Sequence, residues 1–200
     1  MKKIPTLFKR DQETHLVTDE ITPGCEWVFD NGKVIPTRKY DGTAVLMLHN
    51  KIYKRYDCKE GKIPPLDFIP SQVSDENTGH WPGWVYCDHK DNENKYYYEV
   101  LRNMYMESDY NPFILIANGT YELIGPKING NPEKIKEHKF IKHGDDVIDY
   151  DEFNDFKLTY FSIKTYLETH DVEGIVFYRD HVSMFTAKAK IKKKDFGLKR

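Results

Sequence analysis

Arg38-Lys39-Tyr40-Asp41-Gly42 is the stretch on which the reading of this chain turns. It follows a strand-like run, Trp27 to Ile35, and leads straight into another, Thr43 to Leu48. A lysine followed closely by Asp-Gly between two such runs is placed to aim its amine at a ligand. Alone, Lys-x-Asp-Gly occurs by chance in many chains, and the plain alternative is a solvated lysine before a turn. Its company raises it. Arg55 follows in Tyr53-Lys54-Arg55, and Glu122 in Tyr121-Glu122-Leu123-Ile124-Gly125. Glu173 lies in Val172-Glu173-Gly174-Ile175-Val176-Phe177, and alternating lysines in Lys188-Ala189-Lys190-Ile191-Lys192.

Working outward, Trp27-Val28-Phe29 reads as a strand, with Asn31-Gly32 as a hairpin turn after it. Thr43 to Leu48 and Lys51 to Tyr56 read as strands joined at His49-Asn50. Residues 1–25 read as irregular, and residues 57–80, rich in Pro, Asp, Ser and Gly, as a long loop. Residues 94–106 have helical spacing of apolar side chains, as do Asp155 to Glu168. Phe113 to Ala117, Thr120 to Ile124, Gly174 to Tyr178 and Met184 to Ile191 read as further strands. The pattern predicts an α+β chain of antiparallel sheets with a few helices, in one domain over residues 1–200.

With 200 residues the chain can bury a real core. Aromatics make up 14%, high enough to suit β structure with stacking surfaces. A formal charge of −2 excludes global basic character, so contact with nucleic acid would need a local patch. Cys25, Cys58 and Cys87 lack the paired spacing of a disulfide framework or a zinc site. The N-terminus has no apolar signal-peptide core, and no apolar run reaches membrane-spanning length. These features predict a cytoplasmic protein with no membrane partner and no evident obligate protein partner.

Lys39 is the candidate nucleophile. A free lysine amine is protonated at neutral pH and becomes reactive when burial and neighbouring cations favour its neutral form. Lys190 and Lys192 can supply those cations and neutralise phosphate charge. Glu173 sits inside an apolar run, where a carboxylate is costly unless paired or metal-bound, so it is the candidate metal ligand. Glu122 is a candidate for ribose hydroxyls or metal, and Arg55 for phosphate or ribose. For both, a strand-face salt bridge or a solvated basic strand is the bland alternative. Phe140 is the candidate base-stacking aromatic, against core packing as the default.

In this order the residues resemble the motifs of the covalent nucleotidyltransferases, the superfamily of ATP-dependent polynucleotide ligases and mRNA capping enzymes. Lys39-Tyr40-Asp41-Gly42 is similar to the nucleophile motif. The phrases around Arg55, Glu122 and Glu173 and the run Lys190-Ile191-Lys192 are similar to the later ones. Glu122-Leu123-Ile124-Gly125-Pro126-Lys127-Ile128-Asn129-Gly130-Asn131-Pro132 and Lys194-Asp195-Phe196-Gly197 resemble a compact RNA ligase type of viruses and animals.

The resemblance implies the ligase adenylation fold, antiparallel sheets with flanking helices around an ATP cleft. It implies ATP as a cofactor that becomes covalent AMP, with Mg²⁺ or Mn²⁺, and RNA bearing 5′-phosphate and 3′-hydroxyl ends as partner. Lys39, Lys190 and Lys192 would be catalytic. Arg38, Asp41, Gly42, Arg55, Glu122, Phe140 and Lys188 would bind ATP, and Glu173 metal. The motifs span residues 39–197, and the expectation is a chain without the C-terminal OB-fold domain that capping enzymes and DNA ligases carry. For a viral source the compartment would be the host cytoplasm. The alternatives are a GTP-dependent capping guanylyltransferase, a minimal DNA ligase, or an inactive nucleotide- or RNA-binding module.

Overall fold

The computed structural model describes residues 3–30, 34–76, 78–107, 116–153, 156–181 and 186–200. In chain order the described strands are β1 (Phe8–Arg10), β2 (Val17–Ile21), β3 (Val34–Lys39), β4 (Thr43–Leu48), β5 (Lys51–Cys58), β6 (Ile69–Pro70), β7 (Trp81–Tyr86), β8 (Gly119–Ile124), β9 (Lys139–Lys142), β10 (Gly174–Arg179) and β11 (Lys188–Lys192). The described α-helices are α1 (Lys95–Glu107) and α2 (Tyr160–Thr169). The class is mixed α+β, and every ladder between the described strands is antiparallel.

The chain divides into two compact units. The first comprises Met1–Lys3 with Asp41–His143, and the second Ile4–Tyr40 with Gly144–Arg200. The boundary therefore falls inside the Lys39-Tyr40-Asp41-Gly42 motif.

The first unit is built on a six-stranded sheet in the order β6-β7-β5-β4-β8-β9. Helix α1 packs on one face. Tyr97 and Val100 from the helix close over Val45, Met47, Ile52, Tyr121 and Leu123 from the sheet. Period-2 alternation sends the odd-numbered residues of β4 and β8 into this core and the even-numbered ones to the opposite face. The helix is preceded by a 3-10 turn, where the Asp91 side chain accepts the Glu93 N–H at 3.0 Å.

The second unit holds the three-stranded sheet β11-β10-β3 and the hairpin β1-β2. Its core takes Ile175 and Phe177 from β10, Ala189 and Ile191 from β11, and Ile163, Tyr166 and Leu167 from α2. Those α2 positions, spaced i, i+3 and i+4, make one apolar stripe. Thr159 caps the helix. Its hydroxyl accepts the Ser162 N–H at 3.0 Å while Ser162 Oγ accepts the Thr159 N–H at 2.8 Å.

Three readings change. Trp27 and Val28 lie buried in a 3-10 turn, Glu26–Val28, rather than in a strand, because an unbroken apolar run marks burial without fixing its period. The stretch read as irregular contains the β1-β2 hairpin, whose turn is tied by Asp11 Oδ1 accepting the Thr14 N–H at 2.8 Å. Helix α2 starts at Tyr160, since the extended Thr159 cap stops it from reaching back to Asp155. The Asn31-Gly32 turn, Phe113 to Leu115, Met184 and Asp155 itself lie outside the described residues.

Candidate functional site

Two sets of chemistry-bearing residues form, one in each unit. In the second unit β10 lies between β3 and β11, and their registers stack three rungs. Gly174 pairs with both Lys39 and Lys192, Val176 with Thr37 and Lys190, and Tyr178 with Ile35 and Lys188. Paired residues of an antiparallel ladder point to the same side. Lys39, Lys188, Lys190 and Lys192 therefore share one face, opposite the fully buried Ile175, Phe177 and Ile191. The alternation foreseen in β11 puts all three of its lysines on the face of Lys39.

Glu173 sits immediately before β10 and answers two of those cations at once. Its Oε1 accepts from Lys192 Nζ at 2.6 Å, and its Oε2 accepts from Lys39 Nζ. Lys39 Nζ also donates to the Tyr40 carbonyl at 3.1 Å. Gly174 makes the close rung possible. A Cβ there would lie 2.2 Å from the Ile191 carbonyl oxygen and 2.9 Å from Lys192 Cα. The backbone around Glu173 is fixed as well, because its carbonyl accepts the Lys193 N–H at 2.9 Å. Asp195, 3% exposed, ties down the end of β11 by accepting the Lys192 N–H at 2.9 Å and Arg10 at 2.6 Å.

Among the described residues Glu173 is the carboxylate that ion-pairs within this set of four lysines, so cations outnumber their paired anion on this face. Burial pulls the Lys190 ammonium down to about 8, assisted by the charges of Lys192 and Lys39 and opposed by Asp195 and Glu173. Burial alone pulls Lys188 down to about 8. Its Nζ lies 4.9 Å from the centre of the Tyr178 ring. A concentration of partly desolvated lysines on a rigid strand is suited to an anion with several charged oxygens.

In the first unit, Glu122 pairs with Ala44, while Arg55 follows Lys54, the partner of Val45. Arg55 and Glu122 therefore point to the same face, flanking the small Ala44 side chain. Arg55 is held by Asp57 Oδ1 at 3.0 Å and Ser71 Oγ at 3.3 Å, with its guanidinium 5.6 Å from the centre of the Trp84 ring. Lys54, on the other face, donates to Asn94 Oδ1 at 3.0 Å at the head of α1. Glu122 Oε1 accepts the Gly42 N–H at 3.1 Å, and Oε2 is 2.8 Å from His143 Nε2. His143 Nδ1 is buried with no partner among the described residues, and Nε2 faces a carboxylate oxygen, which accepts, so Nε2–H is the donor to Glu122.

Asp41 and Gly42 are clamped from the loop after β8. The Asp41 N–H donates to Glu133 Oε1 at 3.0 Å, and Asn129 Nδ2 donates to Asp41 Oδ1 at 3.1 Å and the Gly42 carbonyl at 2.9 Å. A Cβ on Gly42 would stand 2.3 Å from the Leu123 carbonyl oxygen, so this motif position has no room for a side chain. His138 anchors the far end of the loop to α1, with Nδ1 2.8 Å from Glu99 Oε1 and its ring stacked on Tyr96 at 4.3 Å.

Two expected residues point elsewhere. Arg38 alternates with Lys39, so it leaves the lysine face, and its guanidinium lies 4.7 Å from the centre of the Tyr40 ring. Phe140 pairs with Leu123 and packs near Tyr121 on the α1 side, the face opposite Glu122. Sequence reading missed His143, Asn129, Glu133, Asp195 and Arg10. Asn129 and Asp195 lay within quoted phrases, but nothing in a one-dimensional pattern marks a side chain that acts on another residue's backbone.

No protein-family model matches the chain, and no curated protein matches it. Among the described residues no group of three or more His, Cys, Asp or Glu side chains gathers to hold a metal ion. Among the described residues the ion-pair partners of Glu173 are Lys39 and Lys192. A single carboxylate fits Mg²⁺ or Mn²⁺ only where the remaining ligands are phosphate oxygens and water, as is usual for Mg²⁺ beside a nucleotide. Among the described residues no helix is long and apolar enough to cross a membrane.

Proposed function

We propose that the chain is an ATP-dependent RNA ligase with the nucleotidyltransferase (ligase adenylation) fold, joining 5′-phosphate and 3′-hydroxyl RNA ends in the cytoplasm. The observation that carries this reading is the rung Lys39–Gly174–Lys192 with Glu173 bridging both lysines. A nucleophile candidate, a carboxylate and a row of phosphate-seeking cations converge there from segments far apart in the chain.

In the first step the Lys39 amine attacks the α-phosphorus of ATP. An N–P bond forms, the bond between the α-phosphorus and the bridging oxygen breaks, and pyrophosphate leaves. In the second step a 5′-phosphate oxygen of RNA takes the AMP and returns Lys39 to its free form. In the third step a 3′-hydroxyl attacks that RNA phosphate, the phosphodiester closes and AMP departs. Lys190 and Lys192 stabilise charge on the phosphate oxygens as it redistributes. Such fixed cations act most strongly when desolvated and already in place. Glu173 holds Lys39 and Lys192 in register, and it is the group that would carry Mg²⁺ or Mn²⁺. When bound, that ion draws electron density from the phosphate oxygens. Arg55 and Glu122 are proposed as the polar groups of the first unit that meet a nucleoside, with His143 and Gly42 fixing the carboxylate.

The test is to incubate the protein with Mg²⁺ and α-labelled ATP or, separately, α-labelled GTP, and to look for label on the denatured polypeptide. Label from ATP that disappears in Lys39→Ala is the expected result. Label from GTP alone would replace ligation with capping. Absence of label from both, with an intact mass showing no pre-bound AMP, would overturn the enzyme reading.

A further inference from the structure

Lys188, which the resemblance would assign to ATP, takes no part in the three steps proposed above. It lies on the lysine face two rungs from Lys39, at the Tyr178 end of the sheet. Four residues of strand, at about 3.3 Å each, separate it from Lys192 by about 13 Å along β11. Lys190 feels the charges of Lys39, Lys192, Glu173 and Asp195, whereas burial alone moves Lys188. Lys188 is thus electrostatically apart from the Glu173 cluster while sharing its face. Among the described residues no carboxylate pairs with it, and its ammonium rests beside the Tyr178 ring. A partly buried lysine without a counter-charge is costly to keep, and an anion brought by a ligand would relieve that cost.

Which anion follows from length. A triphosphate with its α-phosphate between Lys39 and Lys192 has its phosphorus atoms joined through single oxygens, so it advances along β11 by less than the distance to Lys188. A polynucleotide strand carries one charge per nucleotide at wider intervals, closer to the two-residue step of a strand. Resting on the ligase reading, we propose that Lys188, seated on Tyr178, holds a backbone phosphate of the RNA, leaving Lys190 and Lys192 to the nucleotide. The three β11 lysines then form one track, with the nucleotide at the Gly174 end and the RNA strand at the Tyr178 end.

The experiment measures binding of a 5′-phosphorylated single-stranded RNA oligonucleotide in EDTA, where no metal-dependent turnover occurs, over a series of salt concentrations. Each phosphate contact contributes about 0.7 to the slope of log affinity against log salt for a single strand. Lys188→Met, which keeps the aliphatic packing on Tyr178, should flatten the slope by about 0.7, and Lys188→Arg should restore it. In the same proteins, Lys188→Met should impair labelling of Lys39 by ATP less than Lys190→Met does. A wild-type slope in Lys188→Met overturns the proposal. So does loss of labelling as severe as in Lys190→Met, which would return Lys188 to the nucleotide. A structural role alone would lower the melting temperature and leave the slope untouched. Wild-type protein that takes no label overturns the ligase reading instead, and the salt slope still decides whether Lys188 meets an RNA phosphate.

Discussion

At the residue scale, the informative groups are those with a defined partner. Lys39 and Glu173 lie 134 positions apart in the chain and meet side chain to side chain. Lys39→Ala and Lys39→Arg should both abolish covalent labelling, since the guanidinium is not a usable nucleophile at accessible pH. Glu173→Ala should slow labelling about 100-fold, equivalent to about 3 kcal/mol of barrier, with Lys39 and Lys192 left to repel each other. A wild-type rate in rapid-quench measurements would remove Glu173 from the site. His143 is 2.8 Å from Glu122 Oε2, so under the proposed ligase reading His143→Leu should raise KM for ATP with a smaller effect on kcat. His143→Gln, which keeps an N–H donor at similar reach, should restore KM; equal KM in both variants would detach His143 from Glu122's role.

At the scale of the element, β11 is a strand with one face fully buried and the other lined with lysines. The Lys190 ammonium titrates in the fold at about 8, below its ordinary 10.5. Between those values the unfolded chain binds the extra proton, so this group makes stability rise with pH across about 8 to 10.5. Below about 8 both states are charged, and the cost of holding Lys190 beside Lys39 and Lys192, with Glu173 and Asp195 as the opposing anions, is fully present. Lys190→Met should therefore raise the melting temperature at pH 7 and lose that advantage near pH 10.5. A constant difference across the range would mean that burial does not burden Lys190. Anion binding should draw a proton onto this face near pH 8, visible as buffer-dependent heat when tripolyphosphate is titrated in.

For the whole molecule, the two units carry separate cores. Leu123 belongs to the cluster under α1, and Ile191 to the cluster under α2, both fully buried. Leu123→Ala and Ile191→Ala should each cost about 2–5 kcal/mol. In hydrogen exchange, Leu123→Ala should release the amides of β4 and β8, and Ile191→Ala those of β10 and β11. Uniform loss of protection from either variant would show that the two clusters unfold as one.

The residues of the candidate site stand out in the sequence because their chemistry is local. Strand-like runs around Lys39, Glu122, Glu173 and Lys190 hold charges where apolar residues would be expected, and charge inside such a run is conspicuous without any structure. Helix α1 was legible from its 3.6-residue spacing. The face that Arg38 and Phe140 take was not legible, because each lies next to a residue on the opposite face. A strand alternates every residue, so membership of a motif does not tell which side a neighbour takes.

The sequence by itself determined the α+β pattern, the order of lysines and carboxylates, and the alternation of β11. Tertiary structure alone decided that β3 and β11 flank β10 in a register that brings Lys39 and Lys192 to opposite sides of Gly174, within reach of Glu173. That register comes from burying Ile175, Phe177 and Ile191 together beneath α2. A slip of one residue would send every lysine of the track into that core.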